Sequence, residues 1–271
     1  MPEGHTIHRL ARRHRELFGG QELRASSPQG RFAAGAELID GRTLDGTDAW
    51  GKHLFHRYTG GSLLHVHLGL YGTFTDGLRP APEPRGALRL RLEGAEHWLD
   101  LRGPIQCEVI TTAERDRITA ALGPDPLRPK ADPARAAAKL ARSKTALGAL
   151  LMDQTVLAGV GNVYRAEILY RHGVHPYLPG RDLDPEVWQA MWEDLVVLMR
   201  AGVRSGRIVT TERADRDRRS GSARRLDAHY VYRRPDLPCR RCQTRVQHAV
   251  LATRNLFWCP QCQPAPAGWG V

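Results

Sequence analysis

The chain has 271 residues, of which 41% are hydrophobic and 25% are charged, and its formal net charge is +11. This length is sufficient for two domains and a small appended module, each with an apolar core. A membrane-spanning protein and a secreted precursor are both disfavoured, because the chain has no apolar run of about 18 residues and its charged start is not typical of a signal peptide. We therefore expect a cytoplasmic protein.

The positive charge is concentrated near the C-terminus. Residues 200–271 contain 15 arginines and five acidic residues, whereas the first 199 residues are almost neutral. A codon bias explains why only four of the 40 basic residues are lysines, but it does not explain this segregation. Because arginine forks onto phosphate oxygens and neutralised phosphates release counterions, we expect nucleic acid, rather than a membrane, as the partner.

The first predicted element is an N-terminal helix. Glycines 19 and 20 are expected to end it, because glycine is favoured just after a helix. Apolar residues recur before them with the period of a helix packed on one face, at Ile7, Leu10, Ala11, Leu17 and Phe18.

Short extended segments follow the helix. The stretches "GSLLHVHLGLYGTF" and "GALRLRLEGAEHWLDLRG" alternate in polarity between glycine-bounded turns, which is typical of strands. This pattern therefore predicts that residues 20 to about 112 form an all-β sandwich or barrel. The proline-rich stretch "LGPDPLRPKADPARA" after it indicates an interdomain linker.

The region after this linker is predicted to be helical. The segments "KTALGALLMDQ" and "NVYRAEILYRHG" flank the turn "TVLAGVG", and Asp184-Pro185 is a typical start for a third helix. The stretch "TERADRDRRSGSARR" has almost no apolar residues, so we expect a mobile loop there.

Four of the five cysteines are spaced as a metal site. Cys239 and Cys242 form one C-x2-C pair, Cys259 and Cys262 form another, and 16 residues separate the pairs. This spacing is that of a tetrahedral four-cysteine zinc site, and a disulfide framework is the weaker alternative in a cytosolic chain. One structural zinc ion is therefore predicted, in a hairpin unit too small to fold without metal.

The start of the chain, "MPEG", has two interpretations. Proline suits the first position of a helix, and a glutamate in the first turn complements the helix dipole. Alternatively, a Pro2 amine freed by removal of Met1 could attack a sugar C1′. A secondary amine gives only a charged iminium, an electron sink that acidifies the C2′ proton, and Glu3 could transfer protons beside it.

Several further blocks join "MPEG" to form a pattern that runs along almost the whole chain. They are "WGKHLF" at 50–55, "HLGLYG" at 67–72, "LGPDPL" at 122–127, "LMDQTVLAGVGNVYRAEILY" at 151–170 and "TRNLFWCPQCQ" at 253–263. In this combination and order the chain resembles the formamidopyrimidine-DNA glycosylase/endonuclease VIII family. The resemblance implies an α+β multidomain fold that clamps damaged DNA. Its parts would be an N-terminal β-sandwich catalytic domain with an N-terminal helix (1–125), a helix-two-turns-helix domain (126–228), a zinc finger (229–265) and a tail (266–271).

The resemblance also implies a chemistry for the first domain. Pro2 matches the nucleophile that displaces a damaged base and forms a Schiff base, after which β- and δ-elimination cut the strand on both sides. Glu3 matches the proton-transfer residue. Lys52 matches a lysine that contacts phosphate and assists catalysis, although a solvated strand lysine is the alternative.

Further positions match residues that the family uses on DNA. Asn162 and Arg254 match phosphate contacts, although Asn162 could simply cap a helix. Leu70 and Tyr71 match residues that fill the gap left by a flipped base, although Leu70 could belong to a core strand. Glu167 matches an acid in the helix-two-turns-helix domain whose role is open, and we place it with the DNA-binding residues.

The motifs favour the endonuclease VIII branch, and therefore oxidised pyrimidines such as thymine glycol and 5-hydroxyuracil as substrates. The wedge loop reads "LDLRGPIQC" without the phenylalanine of the formamidopyrimidine branch, and Gly148 stands where that branch has lysine. Gly69 leaves the void-filling geometry open. The alternatives are an 8-oxoguanine or formamidopyrimidine enzyme and a non-catalytic zinc-ribbon DNA-binding protein. The family implies a monomer, and beyond zinc we expect no cofactor.

Overall fold

The structure is a computed structural model, and it describes residues 2–266. The chain forms two compact units, Met1–Ala121 and Leu122–Val271. The predicted helix-two-turns-helix region and zinc finger thus share the second unit, while the predicted tail lies, from residue 267 onward, outside the described residues.

The first unit is a β-sandwich with helices packed against it. Its core joins residues of the first helix to residues from both halves of the sheet, as the sequence predicts. Within residues 2–121 the helices are α1 (Gly4–Phe18), α2 (Ala33–Ile39) and α3 (Thr112–Ala121), and the strands are β1 (Glu22–Ser26), β2 (Arg42–Trp50), β3 (His53–Tyr58), β4 (Leu63–His67), β5 (Thr73–Leu78), β6 (Leu88–Glu93), β7 (His97–Arg102) and β8 (Gln106–Ile110).

The strands are antiparallel and follow the order β5-β7-β6-β1-β2-β3-β4-β8. Strand β1 connects the two layers, because Glu22 and Leu23 pair with β2 whereas residues 24–26 pair with β6. Helix α1 packs on β2 and β3, so the start of the chain lies against the hairpin that these two strands form.

Two features of this unit differ from the prediction. Helix α2 was missed, because it spans only seven residues and buries just Ala36 and Ile39, which is too short for a helical period to be visible. Helix α1 begins at Gly4, two residues later than a proline at its first position would require. Glu3 is the N-cap and Pro2 precedes it, so the helix-start interpretation of Pro2 is wrong in detail.

The second unit is mostly helical and ends in a β-hairpin. Its core is formed mainly by the two longest helices and by the segment that precedes them. The elements in residues 122–266 are α4 (Pro133–Leu140), α5 (Leu147–Leu150), α6 (Asn162–Arg171), α7 (Pro185–Ser205), β9 (Gln247–Leu251) and β10 (Arg254–Trp258), together with three short 3-10 turns.

The helices of this unit confirm one predicted helix start and differ from the prediction in two other places. Asp184 accepts a hydrogen bond from the Glu186 N–H at 2.7 Å, which confirms the predicted start of α7. Asp132 caps α4 in the same way, so the end of the predicted linker is a helix rather than a connection. The helix predicted at 144–154 is reduced to the single turn of α5.

The arginine-rich stretch at 211–225 contains no helix or strand beyond parts of two 3-10 turns. Among residues 2–266, no helix combines the length and the apolar character needed to cross a membrane.

Candidate functional site

Pro2 and Glu3 lie where α1 begins. Pro2 is half-buried and extends the chain before the cap, whereas Glu3 is fully buried. The Glu3 carbonyl accepts the first hydrogen bond of the helix, from the Thr6 N–H at 2.9 Å. Glu3 therefore supplies a buried carboxyl group on the residue that directly follows the Pro2 nitrogen, and carboxyl groups transfer protons in general acid–base catalysis.

Helix α1 is fixed to the β2–β3 hairpin by two polar contacts. The Thr47 hydroxyl donates to the Ala11 carbonyl at 2.6 Å, and His14 Nδ1 and His56 Nε2 share a hydrogen bond of 2.9 Å inside the unit. These contacts anchor the helix that begins directly after Pro2 and Glu3.

Lys52 lies in the turn of that same hairpin. The preceding residue, Gly51, has a φ of 57°, a conformation that favours glycine, so the pair Gly51-Lys52 can connect β2 directly to β3. Lys52 is half-buried. The structure therefore places the candidate lysine on the hairpin that holds α1.

Three histidines that the motif analysis did not single out, His53, His65 and His67, lie together on β3 and β4, and His53 directly follows Lys52. Burial, followed by the neighbouring charges of His67, His65 and Lys52, lowers the pKa of His53 to about 3. Burial and the charge of Lys52 lower the pKa of His67 to about 4, and burial also lowers the pKa of His65. All three are neutral at physiological pH. The sequence pattern that could have predicted this cluster is the spacing of histidines in "KHLFH" and "HVH", on neighbouring strands.

An exposed apolar tip forms after β4. The exposed fractions are 40% for Leu70, 86% for Tyr71 and 66% for Ile105. Leu70 lies in a turn beyond the end of β4 at His67, so the core-strand alternative for Leu70 is wrong. A methyl group at Gly69 would lie only 2.6 Å from Ile105 Cγ2, so Ile105 occupies the space left by the missing side chain.

Asn162 is the first residue of α6 and is buried, and Gly161 is the N-cap, so the simple capping interpretation of Asn162 is wrong. Its Nδ2 donates to the Asn255 carbonyl at 2.9 Å, and its Oδ1 accepts a hydrogen bond from Arg165. Arg165 also donates to the Asn255 carbonyl at 2.9 Å. The helix start is therefore connected to the residue that follows Arg254.

Arg254 begins β10, directly after a two-residue turn. Ala252 and Thr253 both lie in the left-handed region, with φ of 48° and 61°, as a tight hairpin turn requires. That conformation is unfavourable for a β-branched residue such as Thr253. The turn and the Asn162–Asn255 contact together bring Asn162 and the start of β10 into one neighbourhood.

Glu167 has a structural position. It is fully buried, and its carboxylate accepts hydrogen bonds from the backbone N–H groups of residues 230, 231 and 232 at 2.7, 2.9 and 2.8 Å, and from the Thr210 hydroxyl. Its oxygens are thus occupied by the chain itself. The placement of Glu167 among the DNA-binding residues is therefore wrong: its carboxylate holds the segment that leads to the first zinc cysteine, Cys239.

The four cysteines form a metal site. Their sulfur atoms all lie within 4.8 Å of one another, with Cys239 and Cys262 at 3.8 Å and Cys242 and Cys259 at 3.4 Å. Four sulfurs at about 2.3 Å from a tetrahedral zinc ion would be separated by comparable distances, so the donor set fits one zinc ion. The hairpin that carries these cysteines packs on α6 through a small core that includes Tyr170 and Phe257.

Family comparisons agree with these sites. Residues 1–105 match the formamidopyrimidine-DNA glycosylase N-terminal domain, residues 122–214 match the formamidopyrimidine-DNA glycosylase H2TH domain, and residues 236–265 match the zinc finger found in FPG and IleRS. The fold and the site thus define a DNA-repair enzyme with a structural zinc finger. The chain belongs to the formamidopyrimidine-DNA glycosylase/endonuclease VIII family of DNA glycosylases and AP lyases.

The relatives extend over almost the whole chain. Endonuclease 8 1 of Mycobacterium tuberculosis is 52% identical over 270 residues, which cover 97% of this chain and 100% of that protein. The crystal structure of the MutM (Fpg) protein of Thermus thermophilus is similar with a TM-score of 0.79 and 29% identity, covering 97% and 98% of the two chains. The Lactococcus lactis Fpg in complex with DNA containing an abasic site has the same fold, with a TM-score of 0.79, 21% identity and coverage of 97% and 100%.

Proposed function

We propose that this protein removes oxidised pyrimidines from DNA and then cuts the strand, with the Pro2 amine as nucleophile. The observation that carries the proposal is the placement of Pro2 and a buried Glu3 at the start of a helix that is anchored to the Lys52 hairpin. A helix start alone needs neither a proline outside the helix nor a buried carboxylate at its cap.

The chemistry follows from the secondary amine. The Pro2 nitrogen bonds to C1′ as the N-glycosidic bond breaks, and the base leaves with that electron pair after protonation. The amine proton is then lost, and the sugar ring opens as the C1′–O4′ bond breaks and O4′ takes a proton, which leaves the C1′ iminium. The iminium withdraws electrons, so a C2′ proton is lost and the C3′–O bond breaks in β-elimination, with the 3′ phosphate leaving with the electron pair. A second elimination then releases the 5′ phosphate. Glu3 moves protons at the sugar, and Lys52 neutralises charge on the adjacent phosphate.

The phosphate backbone is held by the second unit in this proposal. Asn162 lies at the start of α6, where backbone N–H groups and the helix dipole favour an anion. Arg254 is connected to it through Asn255 and supplies a guanidinium fork for phosphate oxygens. The zinc ion keeps the hairpin folded and takes no part in the chemistry.

Two observations support assignment to the endonuclease VIII branch: the sequence identities to known proteins and the exposed apolar tip. Identity is 52% to a protein named endonuclease 8 and 29% to an Fpg protein. We assign Leu70, Tyr71 and Ile105 to the gap left by the flipped base. An 8-oxoguanine or formamidopyrimidine substrate is the second candidate, favoured by "HLG" at 67–69, which the sequence shares with that branch.

Borohydride trapping tests the proposal. The purified chain, with Met1 removed, is incubated with duplexes containing thymine glycol, 5-hydroxyuracil, 8-oxoguanine or an abasic site. We expect a covalent adduct with the pyrimidine lesions and the abasic site, and none from Pro2→Gly or from a chain with residues added before Pro2. If no duplex is trapped, the enzyme proposal is wrong and the protein is a non-catalytic DNA-binding protein. If only 8-oxoguanine is trapped, the branch is wrong.

We further propose that the protein works as a monomer on damaged DNA in the cytoplasm. The charge of residues 200–271 supports a DNA partner. Sedimentation with and without a lesion duplex tests the monomer: one chain per duplex is expected, and a stable dimer would contradict it.

A further inference from the structure

A chain of hydrogen bonds reaches the neighbourhood of Lys52 from the far edge of its sheet. Glu108 on β8 contacts His65 on β4, with 2.9 Å between Glu108 Oε1 and His65 Nδ1. His65 Nε2 in turn lies 2.9 Å from His53 Nδ1 on β3. His53 directly follows Lys52, so the chain ends beside the candidate lysine.

The strand register explains why these side chains meet. Phe55, His65 and Glu108 lie opposite one another across β3, β4 and β8, and His53 and His67 form the next row on the same face. The rings are held by stacking, since the ring centroids of His65 lie 5.1 Å from His53 and 5.0 Å from Phe55 in nearly parallel planes.

The chain has a single direction. A carboxylate can only accept, so His65 Nδ1 carries the proton that it donates to Glu108. Burial keeps His65 neutral, so its Nε2 has no proton and accepts from His53 Nδ1. A neutral His53 with its proton on Nδ1 has a bare Nε2. The Glu108 carboxylate thus acts through His65 and determines which nitrogen of His53 can accept a hydrogen bond.

A third hydrogen bond sets the opposite tautomer in the neighbouring ring of His67. The Gly69 N–H donates to His67 Nδ1 at 3.1 Å, so a neutral His67 carries its proton on Nε2. The rings of His53 and His67 meet edge to face with centroids 4.9 Å apart. The groups that face His53 from the packed elements are Lys52, His65 and His67, and both flanking histidines are neutral at physiological pH.

We propose that His53 is a positioning residue for Lys52: the Glu108–His65–His53 chain presents a bare Nε2 that accepts from the Lys52 ammonium and orients it toward the substrate phosphate. Because His53 and His67, the two histidines that sense the charge of Lys52, are both neutral at physiological pH, the orientation of Lys52 is set without adding a second positive charge. The inference rests on the proposed role of Lys52, but the tautomer of His53 can be measured without any DNA.

Long-range ¹H–¹⁵N spectra of histidine-labelled protein test the chain directly. We expect His53 with a protonated Nδ1 and a bare Nε2 in the full-length protein, and a mixture of tautomers in Glu108→Leu. Glu108→Gln retains an oxygen acceptor and is expected to keep the tautomer. A proton on His53 Nε2 in the unsubstituted protein would overturn the inference.

Single-turnover cleavage of abasic-site DNA tests the consequence for Lys52. His53→Phe keeps the stacking but removes the acceptor, and we expect a rate lower by roughly tenfold or more with little change in the Kd for DNA. His53→Gln offers an oxygen acceptor and should recover much of the rate. His97→Phe, on β7 of the same unit, is the matched control, and thermal unfolding checks that each variant is folded.

The outcomes separate the two proposals. If the unsubstituted protein forms no borohydride adduct, the proposed function fails while the tautomer result stands. If it cleaves normally and folded His53→Phe cleaves equally fast, or if His53→Gln is as slow as His53→Phe, the positioning role is wrong.

Discussion

Mild acid is expected to loosen the N-terminal unit and with it the helix that carries the candidate nucleophile. Among residues 2–121, the pKa is lowered for the six histidines His5, His14, His53, His56, His65 and His67, in every case first by burial. In the unfolded chain these histidines take up protons as the pH falls through about 6.5, whereas in the folded protein they stay neutral until a lower pH. The unfolded state therefore binds more protons below that pH, and stability falls as the pH falls.

Two buried histidines, His5 and His56, give the magnitude of this loss of stability. Burial lowers the pKa of His56 from 6.5 to about 4, and burial followed by the charges of the N-terminus and of Arg9 lowers the pKa of His5 to the same value. One pKa unit corresponds to about 1.4 kcal/mol, so each of these histidines costs about 2 kcal/mol of stability between about pH 7.5 and about pH 5. A loss of about 4 kcal/mol from two residues is large against a typical domain stability of about 5–15 kcal/mol.

Hydrogen exchange with peptide resolution measures this loss within the first unit alone. The free energy of opening of peptides from α1 and β3 is determined at about pH 7.5, about pH 6 and about pH 5, after correction for the intrinsic exchange rate. In His56→Leu the decrease should be smaller by about 2 kcal/mol, because one buried proton site is gone. His248→Gln, an exposed residue of the second unit, is the control. An opening free energy that is independent of pH, or an equal decrease in His56→Leu, would refute the reasoning.

Three further outcomes concern the second unit. Removal of zinc, by a chelator or through Cys242→Ser, should unfold the finger and abolish DNA binding, while α7 keeps its helical signal; intact binding without bound zinc would contradict this. Arg254→Ala should weaken binding to every duplex and reduce the salt slope by about one ion, whereas the exposed Arg12→Ala should not. Ala252→Asn with Thr253→Gly should raise the thermal midpoint of the finger by relieving about 1–2 kcal/mol of strain, with unchanged zinc content; a lower midpoint would show that the turn is not strained.

Local rules let the sequence predict much of this protein. The C-x2-C spacing predicts the zinc site, Asp184-Pro185 predicts the start of α7, and Gly19-Gly20 predicts the end of α1, because each of these signals depends on residues a few positions apart. The family motifs, which run in order along the chain, predict the fold class and the enzyme class. The roles of Pro2 and Lys52 remain predictions that trapping will test.

Tertiary structure alone decides which distant residues share a site. His65 meets Glu108 across a register that joins residues 43 positions apart, Ile105 fills the space at Gly69, and the Glu167 carboxylate is enclosed by backbone N–H groups more than 60 residues away. Strand pairing and burial determine these contacts, and neither is visible in a local pattern. The sequence by itself therefore determines the chemical groups that this protein carries, and the packing determines which of them can face DNA and which hold the fold.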